Sequence, residues 1–193
     1  MRIFKFGGAS VKDAKGIHNM YRALEQTGHE NILIVVSAMG KTTNALEKLI
    51  EIYFEDSQKT ESQLNEVIDY HLRIMDEIFD HPNHDVYKEV KERFDRLRIF
   101  LQNNKSPYYS FVYDQVVSTG ELVSTTIITH YLNSKGIFAE WLDARECIKT
   151  DTSYRDANVD WARTEVAINE QVIPNRLYIT QGFIGSDENN FTT

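Results

Sequence analysis

Short apolar runs alternating with longer segments of 3.6-residue periodicity predict an α/β fold. Three observations carry this: "RIFKF" gives way to Gly7-Gly8, "NILIVV" follows the first helical segment, and "RLYITQG" follows the last. A strand, a helix and a second strand in that order imply a right-handed parallel crossover, so the chain is expected to place helices on both faces of a mainly parallel sheet, a three-layer α/β/α sandwich.

The elements follow in order. Ile3 to Phe6 reads as a buried strand ending in a tight glycine loop, and Ser10 with Asp13 reads as a capping box for a helix starting near Val11. Ile17, Met20, Tyr21 and Leu24 mark the apolar face of that helix, Gly28 stops it, and "NILIVVSAMG" is a fully buried strand. A second helix is expected near Asn44, capped by Asn44 with Glu47. Thr60 with Gln63 opens a third, and Val90, Phe94, Leu97 and Leu101 mark a fourth beyond Pro82. This helical insert, from about residue 44 to 104, interrupts the αβ alternation. Ser106-Pro107 starts a further helix, and Ser118 with Glu121 reads as the cap of another that runs to about Ser134. Strands are expected at "IFAEWLDA", "ECIKT" and "RLYITQG", with a helix between the last two around Asp160 to Gln171.

Composition narrows the function. The 193 residues carry 29 acidic and 21 basic side chains, a net charge of −8, which argues against a non-specific nucleic-acid binder. No apolar run approaches the length that spans a bilayer, so no membrane partner is expected. Cys147 is the only cysteine; no internal disulfide can form, and a cytoplasmic address follows as the default. The six histidines show no ligand spacing, so no metal site is expected from protein groups. Cys147 itself reads as a small buried hydrophobe.

In open parallel sheets, ligands lie beyond the carboxyl ends of the strands. The residues there are Gly7-Gly8-Ala9-Ser10, Ser37 to Asn44, Asp143, and Gly182-Phe183. Small and hydroxyl residues leading into helices suit phosphate or carboxylate binding by backbone N–H groups, and Lys5 adds a full positive charge beside the first loop. "MGKTTN" is not a P-loop, because Val35 stands where the leading glycine is required; Lys41 reads as a solvated loop lysine. For Glu121 two readings stand at this point: a cap, or a carboxylate that holds a substrate ammonium.

Together "KFGGASV", "VVSAMGKTTN", "STGELVST" and "ITQGFIG", in this order along the whole chain, resemble the aspartokinases of the amino-acid kinase family. The resemblance implies phosphoryl transfer from ATP, with Mg2+, to the side-chain carboxylate of L-aspartate, giving 4-phospho-L-aspartate at the start of lysine, threonine and methionine biosynthesis. It makes Lys5 the catalytic lysine that neutralises charge on the transferring phosphoryl group, and assigns Lys5, Phe6, Gly7, Gly8 and Ser10 to ATP. Ser37, Thr43, Glu121 and Phe183 fall to aspartate. It further implies a homo-oligomer. Ala9 departs from the threonine that many relatives carry, which removes one hydroxyl contact.

Relatives continue past this point into a glycine-rich "LGRGGSD" stretch, an ATP-binding half and ACT regulatory domains. Residues 1–193 are therefore expected to be the N-terminal, aspartate-binding part of the kinase domain, inactive alone. Acetylglutamate, glutamate and UMP kinases, and a non-catalytic binding module, are the alternatives; Glu121 in "GE" and the long helical insert favour aspartokinase.

Overall fold

The computed structural model describes residues 1–193, the side chain of residue 57 aside. Four strands, β1 (Arg2–Phe6), β2 (Ile32–Val36), β3 (Glu140–Leu142) and β4 (Leu177–Gln181), form one sheet in the order β1-β2-β4-β3. Every pairing is parallel. The register aligns Phe4, Ile34, Ile179 and Trp141 in one row and Lys5, Val35, Thr180 and Leu142 in the next, so these rows face opposite sides of the sheet.

The first face is the core. Ile32, Ile34, Val36, Leu177 and Ile179 are buried in one apolar cluster with Ile17, Met20 and Leu24 of α1 (Ala14–Thr27) and Val123, Ile127 and Tyr131 of α5 (Tyr109–Ser134). The helices α2 (Thr42–Glu55) and α4 (Asp85–Asn103) pack onto α5, and α3 (Thr60–Ile78) packs onto α2 and α4, extending the same cluster outward. The second face is covered mainly beside β3 and β4, where Leu142, Cys147 and Tyr178 pack with Ile148 and Val172, next to α6 (Ala144–Cys147) and α7 (Trp161–Gln171). The α/β class with helices on both faces is as the sequence implies, but β1 is not the buried strand expected. It lies at the sheet edge, with Ile3 66% exposed and Lys5 on the open face.

Several helix starts differ from the expected caps. α1 is capped by Asp13, whose carboxylate accepts from the Gly16 N–H at 2.7 Å, while residues 8–10 form a separate 3-10 turn. α2 begins at Thr42 rather than Asn44; the Thr42 hydroxyl donates to the Met39 carbonyl at 2.7 Å, and Asn44 lies exposed in the first turn. α3 begins at Thr60 as expected, but the Thr60 hydroxyl caps nothing. "ECIKT" becomes α6 and two isolated bridges, Lys149 with Ser186 and Thr150 with Val159, rather than a strand.

The largest difference is α5. It runs unbroken for 26 residues through "STGE", so Ser118 and Glu121 lie in its middle and cap nothing. A helix apolar on one side needs a solvent face; α5 is buried nearly all round because the sheet flanks one side and α2 and α4 the other. Its small residues allow that crowding. A Cβ on Gly120 would lie 2.9 Å from the Ala38 methyl and 3.1 Å from the Thr42 methyl. Gly120→Val is therefore expected to lower the unfolding free energy by about 2 kcal/mol, as overpacking does; urea denaturation with an unchanged midpoint would refute the close approach.

Candidate functional site

Three loops converge at the carboxyl edge of the sheet because neighbouring strand ends are tied through their backbones. The Ser37 N–H donates to the Phe6 carbonyl at 3.1 Å, Gly40 N–H to the Gly8 carbonyl at 3.0 Å, and Gly182 N–H to the Val36 carbonyl at 3.2 Å. The β1 and β2 loops touch so closely that a Cβ on Gly8 would lie 2.6 Å from the Ala38 carbonyl oxygen. Gly40 sits at φ +56°, against the Tyr70 hydroxyl, which in turn donates to the Lys12 carbonyl at 2.6 Å.

Beneath this crossing lies Glu121, 6% exposed. One carboxylate oxygen, Oε1, accepts from the Ala38 N–H at 3.2 Å; the other, Oε2, is buried and has no hydrogen-bond partner. One turn on, the Ser124 hydroxyl donates to the Ser37 carbonyl at 2.9 Å. Burial pushes the Glu121 carboxyl up to about 7, although the hydrogen bond from Ala38 opposes it. Among the described residues no cation pairs with Glu121.

Lys5 lies on the open face, with its ammonium 4.6 Å from the centre of the Phe183 ring. Phe183 takes φ +63°, unusual for a bulky side chain, and is 83% exposed. So the fold brings Gly8, Ser37 and Glu121 together around one loop crossing, and Lys5 and Phe183 together beside it. Phe6 packs its ring against the core, leaving only its backbone at the loop, where the carbonyl is already engaged with Ser37. Gly7 is exposed, and a Cβ there would meet nothing within 4 Å. Ser10 is exposed at the end of the 3-10 turn, and Thr43 is half-buried in the first turn of α2.

Sequence reading missed the network that fixes this edge. The Gln181 amide donates to the Thr125 hydroxyl at 2.7 Å and its carbonyl oxygen accepts from the Ala144 N–H at 2.8 Å, while the Trp141 indole also donates to Thr125 at 2.9 Å. These residues join β4, α5, α6 and β3. The clue was the density of Ser, Thr and Gly from Ser118 to Thr126, which a solvent-facing helix does not need. Among the described residues no group of three or more His, Cys, Asp or Glu side chains could ligate a metal ion.

The family model for the amino acid kinase family matches residues 1–193. The chain belongs to the amino acid kinase family. Within it the likeness is to aspartokinases. It is 27% identical to lysine-sensitive aspartokinase 3 of Escherichia coli over 99% of the chain, but spans only 42% of that relative's length. It is 32% identical to aspartokinase 1, chloroplastic, of Arabidopsis thaliana over 75% of the chain and 25% of the relative. The crystal structures of E. coli aspartokinase III with lysine and aspartate, and with aspartate and ADP, both superpose with a TM-score of 0.86, covering all of this chain and 43% of theirs.

The Glu121 carboxyl titrates near 7 in the folded amino acid kinase chain and near its ordinary 4.5 when unfolded, so the folded state binds the proton more tightly. Its contribution to stability is fully present below pH 4.5 and lost as pH rises through 7. Asp114, pushed up by burial from 3.8 to about 6, adds a slope of the same sign. Glu121→Gln should therefore flatten the decline of unfolding free energy between pH 4 and 8 by on the order of 3 kcal/mol. Parallel denaturation curves for both proteins across that range would contradict the buried, unpartnered carboxylate.

Proposed function

We propose that this chain forms the aspartate-binding part of a kinase domain that transfers a phosphoryl group from ATP to the side-chain carboxylate of L-aspartate, residues 44–104 being a helical insert within it. The observation that carries the reading is Glu121: a buried carboxylate with one unpartnered oxygen, beneath two touching glycine loops. An unpaired buried carboxylate costs folding energy and is compensated when a cation arrives. The ammonium of aspartate is such a cation, and its arrival would ionise Glu121. Support also comes from the superposed E. coli enzyme, crystallised with aspartate and ADP.

In this reading Ser37, Thr43 and Phe183 line the amino-acid pocket, while Gly7, Gly8 and Ser10 face the phosphates. Lys5 is the catalytic residue. Phosphoryl transfer asks mainly for positioning and for positive charge where the equatorial oxygens gather negative charge, and a lysine on the open sheet face supplies that charge without covalent chemistry. Mg2+ would neutralise the ATP phosphates; among the described residues no group of three or more His, Cys, Asp or Glu side chains is placed to hold it. Gly7 supports the phosphate assignment separately. Neither its φ of −75° nor any neighbour requires glycine there, so its smallness leaves backbone open to a ligand.

Glu121→Gln is the deciding test in the intact protein: aspartate KM should rise at least tenfold with the ATP KM little changed, and an unaltered aspartate KM overturns the assignment. Lys5→Ala should lower kcat by on the order of 10² or more while sparing aspartate affinity; a kcat within a factor of about three of wild type removes Lys5 from the mechanism. Gly7→Ala is expected to leave stability unchanged or raise it by about 0.4–1 kcal/mol yet weaken ATP use at least tenfold. Thermal unfolding measured beside steady-state kinetics separates those two effects.

A further inference from the structure

A second polar site lies between α4, α5 and α6, away from the glycine loops. Arg93, Arg96 and Arg145 line a cavity of about 170 Å³ together with Ser118, Thr119 and Thr192, and no carboxylate is among its lining residues. In a chain of net charge −8, three arginines lining one small cavity are a local reversal of the overall field.

The donors there are held and only partly used. Arg93 is half-buried with its guanidinium 4.4 Å over the Trp141 ring, and its Nε is buried with no hydrogen-bond partner. Arg145 is locked by a two-pronged pair with Asp143, at 2.9 and 2.6 Å, leaving Nη1 with only a 3.5 Å contact to the Thr192 hydroxyl. Arg96 makes no ion pair among the described residues. Other groups around the cavity are already engaged: Gln115 exchanges hydrogen bonds with the Thr192 backbone at 2.7 and 3.2 Å, and the Ser118 hydroxyl donates to the Gln115 carbonyl at 3.3 Å. Three carboxylates stand near, Glu146 next to Arg145 in α6 among them. Asp143 is taken by Arg145, and Glu89 lies 3.1 Å from His130.

Burial disfavours the charged form of Arg93; Glu89 and Asp143 oppose that from a distance, and the neighbouring Arg145 and Arg96 reinforce it. An unpaired guanidinium in that position is costly unless an anion completes it, and a planar fork held by an aromatic ring suits phosphate oxygens. We propose that this cavity binds a small phosphate-type oxyanion, either inorganic phosphate or the head of a phosphomonoester. Ser118, Thr119 and Leu122 flank Gly120 and Glu121 on the same helix, so the occupied cavity would brace α5 from the side away from the glycine loops. The site does not depend on the kinase reading.

The test is a calorimetric titration of inorganic phosphate into the protein at constant ionic strength, with chloride as the balancing salt. Saturable binding is expected in the wild type and in Lys5→Ala, and binding at least tenfold weaker in Arg96→Gln. Arg96 is exposed and unpaired, so its replacement leaves the fold intact; Arg93→Lys, which keeps the charge but not the fork, should weaken binding several-fold. A glycerol phosphate arm distinguishes the two sources: affinity equal to that of phosphate assigns phosphomonoesters, and much weaker affinity assigns the free ion. Equal affinity in wild type and Arg96→Gln overturns the site, as does loss of binding in Lys5→Ala, which would place the phosphate at the glycine loops. Tighter binding of malonate than of phosphate overturns the phosphate assignment.

Discussion

Ala38 donates its backbone N–H to Glu121 at 3.2 Å, and Gly120 beside it leaves the Ala38 methyl the space that any side chain would occupy. With the Ser124 hydroxyl holding the Ser37 carbonyl, these contacts seat the β2 loop directly on the middle of α5. Everything at the carboxyl edge is placed relative to that loop. Gly8 approaches its carbonyls, Gly182 is hydrogen-bonded to the end of the strand before it, and α2 departs from it at Thr42. The contact needs close backbone approach, which is why a long buried helix carries glycine, serine and threonine where leucine would pack better by area alone.

The same contact sets the electrostatics. Glu121 is taken out of water by the elements that make the loop crossing, and its second oxygen is left without a donor. Lys5, by contrast, stands on the exposed side of the edge strand, against only the Phe183 ring. One charge is destabilised by burial and the other is free to move, a division that suits recognition by the first and charge compensation by the second. The arginine cavity behind α5 repeats the theme with opposite sign, since Trp141 orders Arg93 but offers it no counter-charge.

The sheet and most helices were legible in the sequence because their signals are local. Period-2 and continuous apolar runs marked β1, β2 and β4, and the 3.6 spacing of Val90, Phe94, Leu97 and Leu101 marked α4. Capping boxes were less reliable. Ser118 with Glu121 has the right spacing, yet the helix passes straight through, because tertiary burial on all sides outweighs a local start signal that contributes about 1 kcal/mol. "ECIKT" failed for a related reason: too short to be a strand on its own signal, it was turned into α6 by the Asp143 cap and the hydrogen bond that the Ala144 N–H donates to the Gln181 side chain.

By itself the sequence determined the fold class, the order of the elements and the residues placed at the strand ends, since these follow from hydrophobic period and from the few residue types that tolerate tight turns. The family likeness rested on motifs in the same order. Only the tertiary structure decided that Glu121 is a buried, half-satisfied carboxylate rather than a cap, that Phe6 belongs to the core, that β1 is an edge strand, and that Arg93, Arg96 and Arg145 share a cavity. Each of those depends on which groups from distant parts of the chain lose water together, and burial of that kind has no period in the sequence.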